Sequence, residues 1–261
     1  MIALYHNAAS TCSQKVRLVL AEKGLGYESH EIDLMGGAQH DPEYVKLNPN
    51  HVVPTIVDDD RVFIESTLIN EYLEDAYPEV PMRPSDPAGR HAMRLWTKRF
   101  DELQPSVGVL TYAIGTRPMV LQQNPEDMEA NLAQMPDPSR RAQRRSVIEH
   151  GVQAPEFADA VGTFLRVLDQ MQSKLRDQEW IAGSLFSLAD AAALPAVMRF
   201  DHLAMTPALD ARPQVADWYA RVRARASFER AVSAVLPQFV IDMFRKNGQA
   251  VWKDVEPLTH A

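Results

Sequence analysis

The spacing of apolar positions changes several times along the chain, and each change marks an element. Ile2 to Tyr5 reads as a short strand. In the stretch S-T-C-S-Q-K-V-R-L-V-L-A-E-K-G-L (Ser10 to Leu25), Val16, Val19 and Leu20 fall at i, i+3 and i+4. Lys15, Arg17, Glu22 and Lys23 stay polar, which predicts a helix with one apolar face. Gly24 ends it, as a glycine just past a helix does. Further on, Pro54 stands between apolar residues that read as strand, from Val52 to Val57. Proline has no N–H to give a ladder, so it belongs at a strand start or in a tight turn, where cis bonds concentrate. Asp58-Asp59-Asp60 is a turn, Arg61 to Ile64 a second strand, and Glu65-Ser66 open a helix through Ile69, Tyr72 and Leu73. Residues 1–80 therefore read strand, helix, strand, helix, strand, strand, helix, an α/β domain.

Pro78, Pro81, Pro84 and Pro87 punctuate a polar connector, and we take residues 81–89 as the linker. Helical patterning resumes near Arg90 and continues through residues 90–261, an all-α domain. Met93, Trp96, Thr97 and Phe100 mark one buried face, and Leu165, Leu168, Met171 and Leu175 another. Residues 118–155 are polar, proline-punctuated and rich in Arg, Gln, Met and Glu, and are expected to form a partly helical excursion that roofs a cleft.

The chemistry concentrates where the first strand hands over to the first helix. Ser10, Cys12 and Ser13 sit at a helix N-terminus, where unpaired N–H groups and the helix dipole favour an anion. Capping alone would explain such residues. The Pro54 motif, the Glu65-Ser66 pair at another helix start, and Trp180-Ile181-Ala182-Gly183 leading into Ser187-Leu188-Ala189-Asp190 add to the picture. In the last, a Ser caps a helix and an Asp three residues on answers it.

Taken in order, these motifs resemble the glutathione transferases, which join a thioredoxin-like domain to a helical bundle. The resemblance implies glutathione as cosubstrate. Ser10 matches the thiolate donor of zeta- and theta-like members. Ser13 matches the serine of the bacterial glutathione-dependent β-etherases, and Cys12 the cysteine of beta-class enzymes; the choice among the three stays open. Val53, before Pro54, would pair its backbone with the peptide as an added strand. Glu65 and Ser66 suit the γ-glutamyl end, Gln39 and His40 the glycine carboxylate, and Asp101 the γ-glutamyl amine. One departure stands out: many relatives carry Gly-Gln or Gly-Lys before the V-P pair, where this chain has His51-Val52. Gln39-His40, E-S-T-L-I-N-E-Y-L-E-D, T-K-x-x-D-E (Thr97 to Glu102) and the Arg-rich excursion after Pro136 resemble the β-etherase group along nearly the whole chain.

Composition narrows the alternatives. At 261 residues and 46% hydrophobic content, the chain can bury one large core or two moderate ones. A net charge of −8 disfavours nucleic acid, and the cluster Arg140, Arg141, Arg144 and Arg145 is expected to be a solvated helix face. Cys12 is the only cysteine, which suits a reducing cytoplasm. No signal peptide, membrane span or metal-ligand spacing is read. The expected activity is attack of the glutathione thiolate on an apolar or aromatic electrophile, an aryl ether included, by a homodimer. The alternatives are redox or isomerase chemistry using Cys12, and a non-catalytic binding protein of the same fold.

Overall fold

The computed structural model describes residues 1–260, which divide into two compact units. Unit 1 comprises Met1–Asp101, Asp177–Pro195 and Trp218–Pro237. Unit 2 comprises Glu102–Arg176, Ala196–Asp217 and the chain from Gln238 onward.

Unit 1 is built on a four-stranded mixed sheet of order β2-β1-β3-β4, from β1 (Ile2–His6), β2 (Tyr27–Glu31), β3 (Thr55–Asp58) and β4 (Arg61–Ile64). β1 runs parallel to β2 (Ile2 opposite Tyr27) and antiparallel to β3 (Tyr5 opposite Thr55); β3 and β4 form a hairpin, with Thr55 opposite Ile64. The turn residues Asp59 and Asp60 both take positive φ, 46° and 61°. The type I′ form of a two-residue hairpin takes positive φ at both central residues, and Asp tolerates it better than most residues. Helices α1 (Thr11–Glu22), α2 (Pro42–Leu47) and α3 (Ser66–Ala76) complete the order read from the sequence.

α1 ends as expected, with Gly24 at φ 67°, its N–H on Ala21 O and the Leu25 N–H on Leu20 O, a Schellman closure. Its expected single apolar face is corrected: Lys15, Arg17 and Lys23 are buried along with Val16, Val19 and Leu20. Each cation is held. Lys23 pairs with buried Glu74, and Arg17, fully buried, donates to the carbonyls of Asn7, Ala8 and Ala231.

The long helix α4 (Pro87–Leu110) buries Met93, Trp96, Thr97 and Phe100, as their spacing implies. Within unit 2, residues 117–150 form α5 (Arg117–Val120), α6 (Pro125–Ala133) and α7 (Pro138–His150), with Pro at the start of α6 and α7 and Asn124 and Asp137 as caps. The basic cluster lies on α7 and is only partly solvated. Arg140 and Arg145 are exposed; Arg141 bonds Met135 O, and Arg144 lies over the Tyr112 ring. α8 (Pro155–Lys174) buries Leu165, Leu168 and Met171, and Phe164 stacks on Phe200 of α9 (Leu188–His202). α10 (Thr206–Asp210), α11 (Pro213–Arg223), the short α12 (Ala226–Phe228) and α13 (Gln238–Val255) complete the chain. Gly248 lets α13 approach the Leu203 carbonyl, where a Cβ would clash. Among the described residues no helix is long and apolar enough to cross a membrane, and no group of His, Cys, Asp and Glu is arranged to hold a metal.

Candidate active site

The pairing directions fix which loops meet. β1 ends, β3 begins and β4 ends at one edge of the sheet, because β1 and β4 both run antiparallel to β3. β2, parallel to β1, also ends there. The loops that carry Ser10, Gln39-His40, Val53-Pro54 and Glu65-Ser66 therefore leave the sheet from the same end.

Ser10 is the N-cap of α1 (φ −68°, ψ 123°), and its Oγ accepts the Ser13 N–H at 3.3 Å. The cap uses the oxygen as acceptor and leaves the hydroxyl hydrogen to donate. Ser10 and Cys12 are half-buried. Ser13 is 0% exposed, and its Oγ accepts the Asn7 N–H at 3.3 Å. Beneath the loop, Arg17 brings a buried cation held by carbonyl oxygens. Burial lowers its pKa to about 10, which leaves it charged at neutral pH.

The Val53–Pro54 bond is cis. Continuing the β1–β3 register sets Pro54 opposite His6 and Val53 opposite Asn7, at the entrance to the Ser10 loop. Among the described residues, neither the N–H nor the C=O of Val53 has a backbone partner. The preceding turn is tied down: Tyr44 Oη donates to Val52 O at 2.6 Å and Asn48 Nδ2 to the same oxygen at 2.9 Å.

Glu65 takes φ 66°, a left-handed value that costs a non-glycine residue about 1–3 kcal/mol. Its side chain does not cap α3; instead Oε1 accepts from Asn50 Nδ2 at 3.2 Å. Ordinary capping therefore does not account for Glu65. Ser66 is buried as the first residue of α3, whose opening N–H groups lack intrahelical acceptors. Asp101 is bound within unit 1: Lys15 Nζ lies 2.9 Å and Thr67 Oγ1 2.7 Å from its Oδ1. Lys15 also reaches Thr67 Oγ1 at 2.7 Å. No local motif marks Lys15 or Thr67 for this role, because their partner Asp101 lies 86 and 34 residues away.

Gln39 and His40 come together with a residue outside the expected set. Gln39 Nε2 lies 3.0 Å from His40 Nε2, and His40 Nδ1 lies 2.8 Å from His51 Nδ1. His51 takes φ 54°.

The chain matches the family models for the glutathione S-transferase N-terminal domain over residues 4–81 and C-terminal domain over residues 125–226. It is 30% identical over 240 residues to the tetrachloro-p-hydroquinone reductive dehalogenase of Sphingobium chlorophenolicum, spanning 88% of this chain and 95% of that one. It is 32% identical over 196 residues to the protein LigF of a Sphingobium species, spanning 72% and 75%. The crystal structure of the β-etherase LigF superposes with a TM-score of 0.79 at 26% identity, covering 88% of this chain and 98% of that one.

Proposed function

Because the chain belongs to the glutathione S-transferase family, we propose that it binds glutathione at the strand ends of unit 1 and uses the tripeptide's thiolate as a nucleophile. The observation that carries this reading is two features set side by side: the Val53 backbone, without a backbone partner among the described residues, and the start of α1, where the Ser10 hydroxyl can still donate. The cysteinyl residue pairs with Val53, the γ-glutamyl group meets the opening of α3 at Glu65 and Ser66, and the sulfur comes to Ser10.

A free thiol with a pKa of about 8.5 is only a few per cent thiolate at pH 7. A hydroxyl hydrogen bond to the sulfur anion contributes about 1.5–3 kcal/mol. A helix N-terminus adds up to about 2 kcal/mol. At about 1.36 kcal/mol per unit, the two lower the thiol pKa by about two units, enough to leave mostly thiolate. The thiolate then attacks an electrophilic carbon, a C–S bond forms, and a phenolate or halide leaves with the bonding pair. Aromatic electrophiles, aryl ethers among them, are the substrates we expect, since the similar proteins include one named a β-etherase and one named a reductive dehalogenase. Ser10 is preferred to Ser13 as the donor because burial withholds Ser13 from a ligand. We place the enzyme in a reducing cytoplasm.

Thiolate absorbance of bound glutathione, followed against pH, tests the assignment. Ser10→Ala should raise the bound-thiol pKa by one unit or more and lower kcat about tenfold or more. Ser13→Ala should leave the pKa unchanged. The reverse result would move the role to Ser13.

A redox reading is favoured by one observation: Cys12 is half-buried two residues from Ser10, at the same helix start. There the Cys12 thiolate would attack the glutathionyl sulfur of a glutathionylated disulfide substrate, forming a Cys12–glutathione mixed disulfide as the substrate thiolate leaves. A second glutathione thiolate would then displace Cys12 and depart as glutathione disulfide. Loss of turnover in Cys12→Ser with Ser10→Ala still active would select this chemistry.

A further inference from the structure

His51 stands at the strained left-handed φ of 54° on the chain that leads into Val53. Glycine takes such a conformation freely, whereas histidine adopts it at a cost. Its ring is held from one side only. Nδ1 meets His40 Nδ1 at 2.8 Å, the ring centroids lie 5.1 Å apart, and Nε2 has no hydrogen-bond partner among the described residues. His40 is 9% exposed, with both ring nitrogens engaged, Nε2 by Gln39 and Nδ1 by His51. His40 therefore cannot itself offer an uncommitted donor. His51, half-buried, can.

Strand direction says what His51 would meet. Continuing the β3–β4 register from Thr55 opposite Ile64 sets Glu65 and Ser66 beside Pro54 and Val53. A tripeptide whose γ-glutamyl end lies there and whose cysteine pairs with Val53 runs antiparallel to this segment. Its glycine then falls opposite Val52, with the terminal carboxylate toward His51. The Val52 side chain offers that carboxylate no polar group.

We propose that His51 is a binding residue of the glutathione site, donating from Nε2 to the glycine carboxylate, while His40 acts as the positioning residue behind it. The two Nδ1 atoms share one proton, so each ring sets the other's tautomer. A carboxylate at His51 Nε2 selects the state in which that nitrogen carries hydrogen and His40 Nδ1–H donates. Gln39 and His40 thus serve the glycine end indirectly. This inference rests on the proposal that the site takes glutathione.

Calorimetric titration of the purified protein with glutathione and with γ-glutamylcysteine, which lacks the glycine, separates the two. Wild type should bind glutathione about tenfold or more tightly than γ-glutamylcysteine. His51→Gly should lose about tenfold for glutathione and nothing for γ-glutamylcysteine. His51→Asn, which tolerates positive φ and keeps an N–H donor, should recover part of the difference. Equal weakening toward both ligands, or no change toward either, would overturn the role of His51. A wild type that binds neither ligand would instead remove the glutathione reading beneath it. Thermal midpoints confirm that each variant is folded, and if His51→Gly is not, His51→Asn carries the comparison.

Discussion

His6 ends β1 as a buried imidazole between two fixed partners, with Nε2 2.7 Å from Ser29 Oγ and Nδ1 3.0 Å from Arg17 Nη1. Arginine only donates, so Nδ1 accepts and Nε2 carries the proton toward the serine. Burial, then the charge of Arg17, then His30 lower the His6 pKa from 6.5 to about 4. Between those two values the unfolded chain binds a proton that the native chain refuses. Stability therefore rises with pH across the window and falls as pH drops from 6.5 toward 4. The full window is worth about 3 kcal/mol at about 1.36 kcal/mol per unit. Urea midpoints from pH 4.5 to 7.5 should show this loss in wild type and a flatter curve in His6→Gln, which has no proton to take up. Equal slopes in the two proteins would mean that His6 titrates normally. Nothing in the sequence marks His6, because its state depends on Arg17, eleven residues away on another element.

At the scale of elements, helix starts were the most legible features, and the connections behind them the least. Ser187 caps α9 as its spacing implies: Oγ accepts the Ala189 N–H at 3.3 Å, while Asp190 Oδ2 takes the Ser187 N–H at 3.0 Å. The same carboxylate also accepts the Ile181 N–H at 3.0 Å and Trp218 Nε1–H at 2.9 Å. A local S-x-x-D pattern cannot announce a tryptophan 28 residues downstream. Asp190→Ala would strand those donors in a buried place, at about 1–3 kcal/mol for each group left unsatisfied. We expect a loss of about 3–5 kcal/mol and a thermal midpoint lower by about 6–20 °C. Asp190→Asn, which keeps one accepting oxygen, should fall between. If Asp190→Ala melts within two degrees of wild type, the carboxylate is a simple cap. α1 teaches the complementary lesson. Its apolar spacing and its glycine stop were readable, whereas the burial of Lys15, Arg17 and Lys23 was not, since each depends on acceptors supplied from elsewhere.

On the scale of the molecule, the order of elements in unit 1 and its hairpin were readable from local signals, and the pairing directions bring the loops of Ser10, Gln39-His40, Val53-Pro54 and Glu65-Ser66 to one end of the sheet. Long-range ties did not show: Arg225 and Ser227 bind the Glu22 carboxylate across some 200 residues, and only the fold brings them together. Burial raises the Glu22 pKa, but the hydrogen bonds from Arg225 and Ser227 outweigh it and hold the carboxyl below its usual range. The expected homodimer is likewise invisible in any one motif, and sedimentation can test it at exposed apolar residues of unit 1. Leu68 on α3 is 64% exposed, Leu95 on α4 is 48% exposed and Val62 on β4 is 43% exposed. Arg94 of α4 and Glu71 of α3, 2.8 Å apart, tie the two helices that carry the leucines. Single exposed leucines are common, and they point to an interface only where they are covered in an assembly. Leu68 also lies two residues beyond Ser66, so an interface there would brace the start of α3. Sedimentation velocity should show a dimer for wild type and a monomer for Leu68→Glu, which buries a charge in such an interface at a cost of several kcal/mol. The monomer should bind glutathione more weakly, through loosening of Glu65 and Ser66. A wild type that sediments as a monomer at micromolar concentration would leave those leucines as ordinary surface residues and confine the site to a single chain.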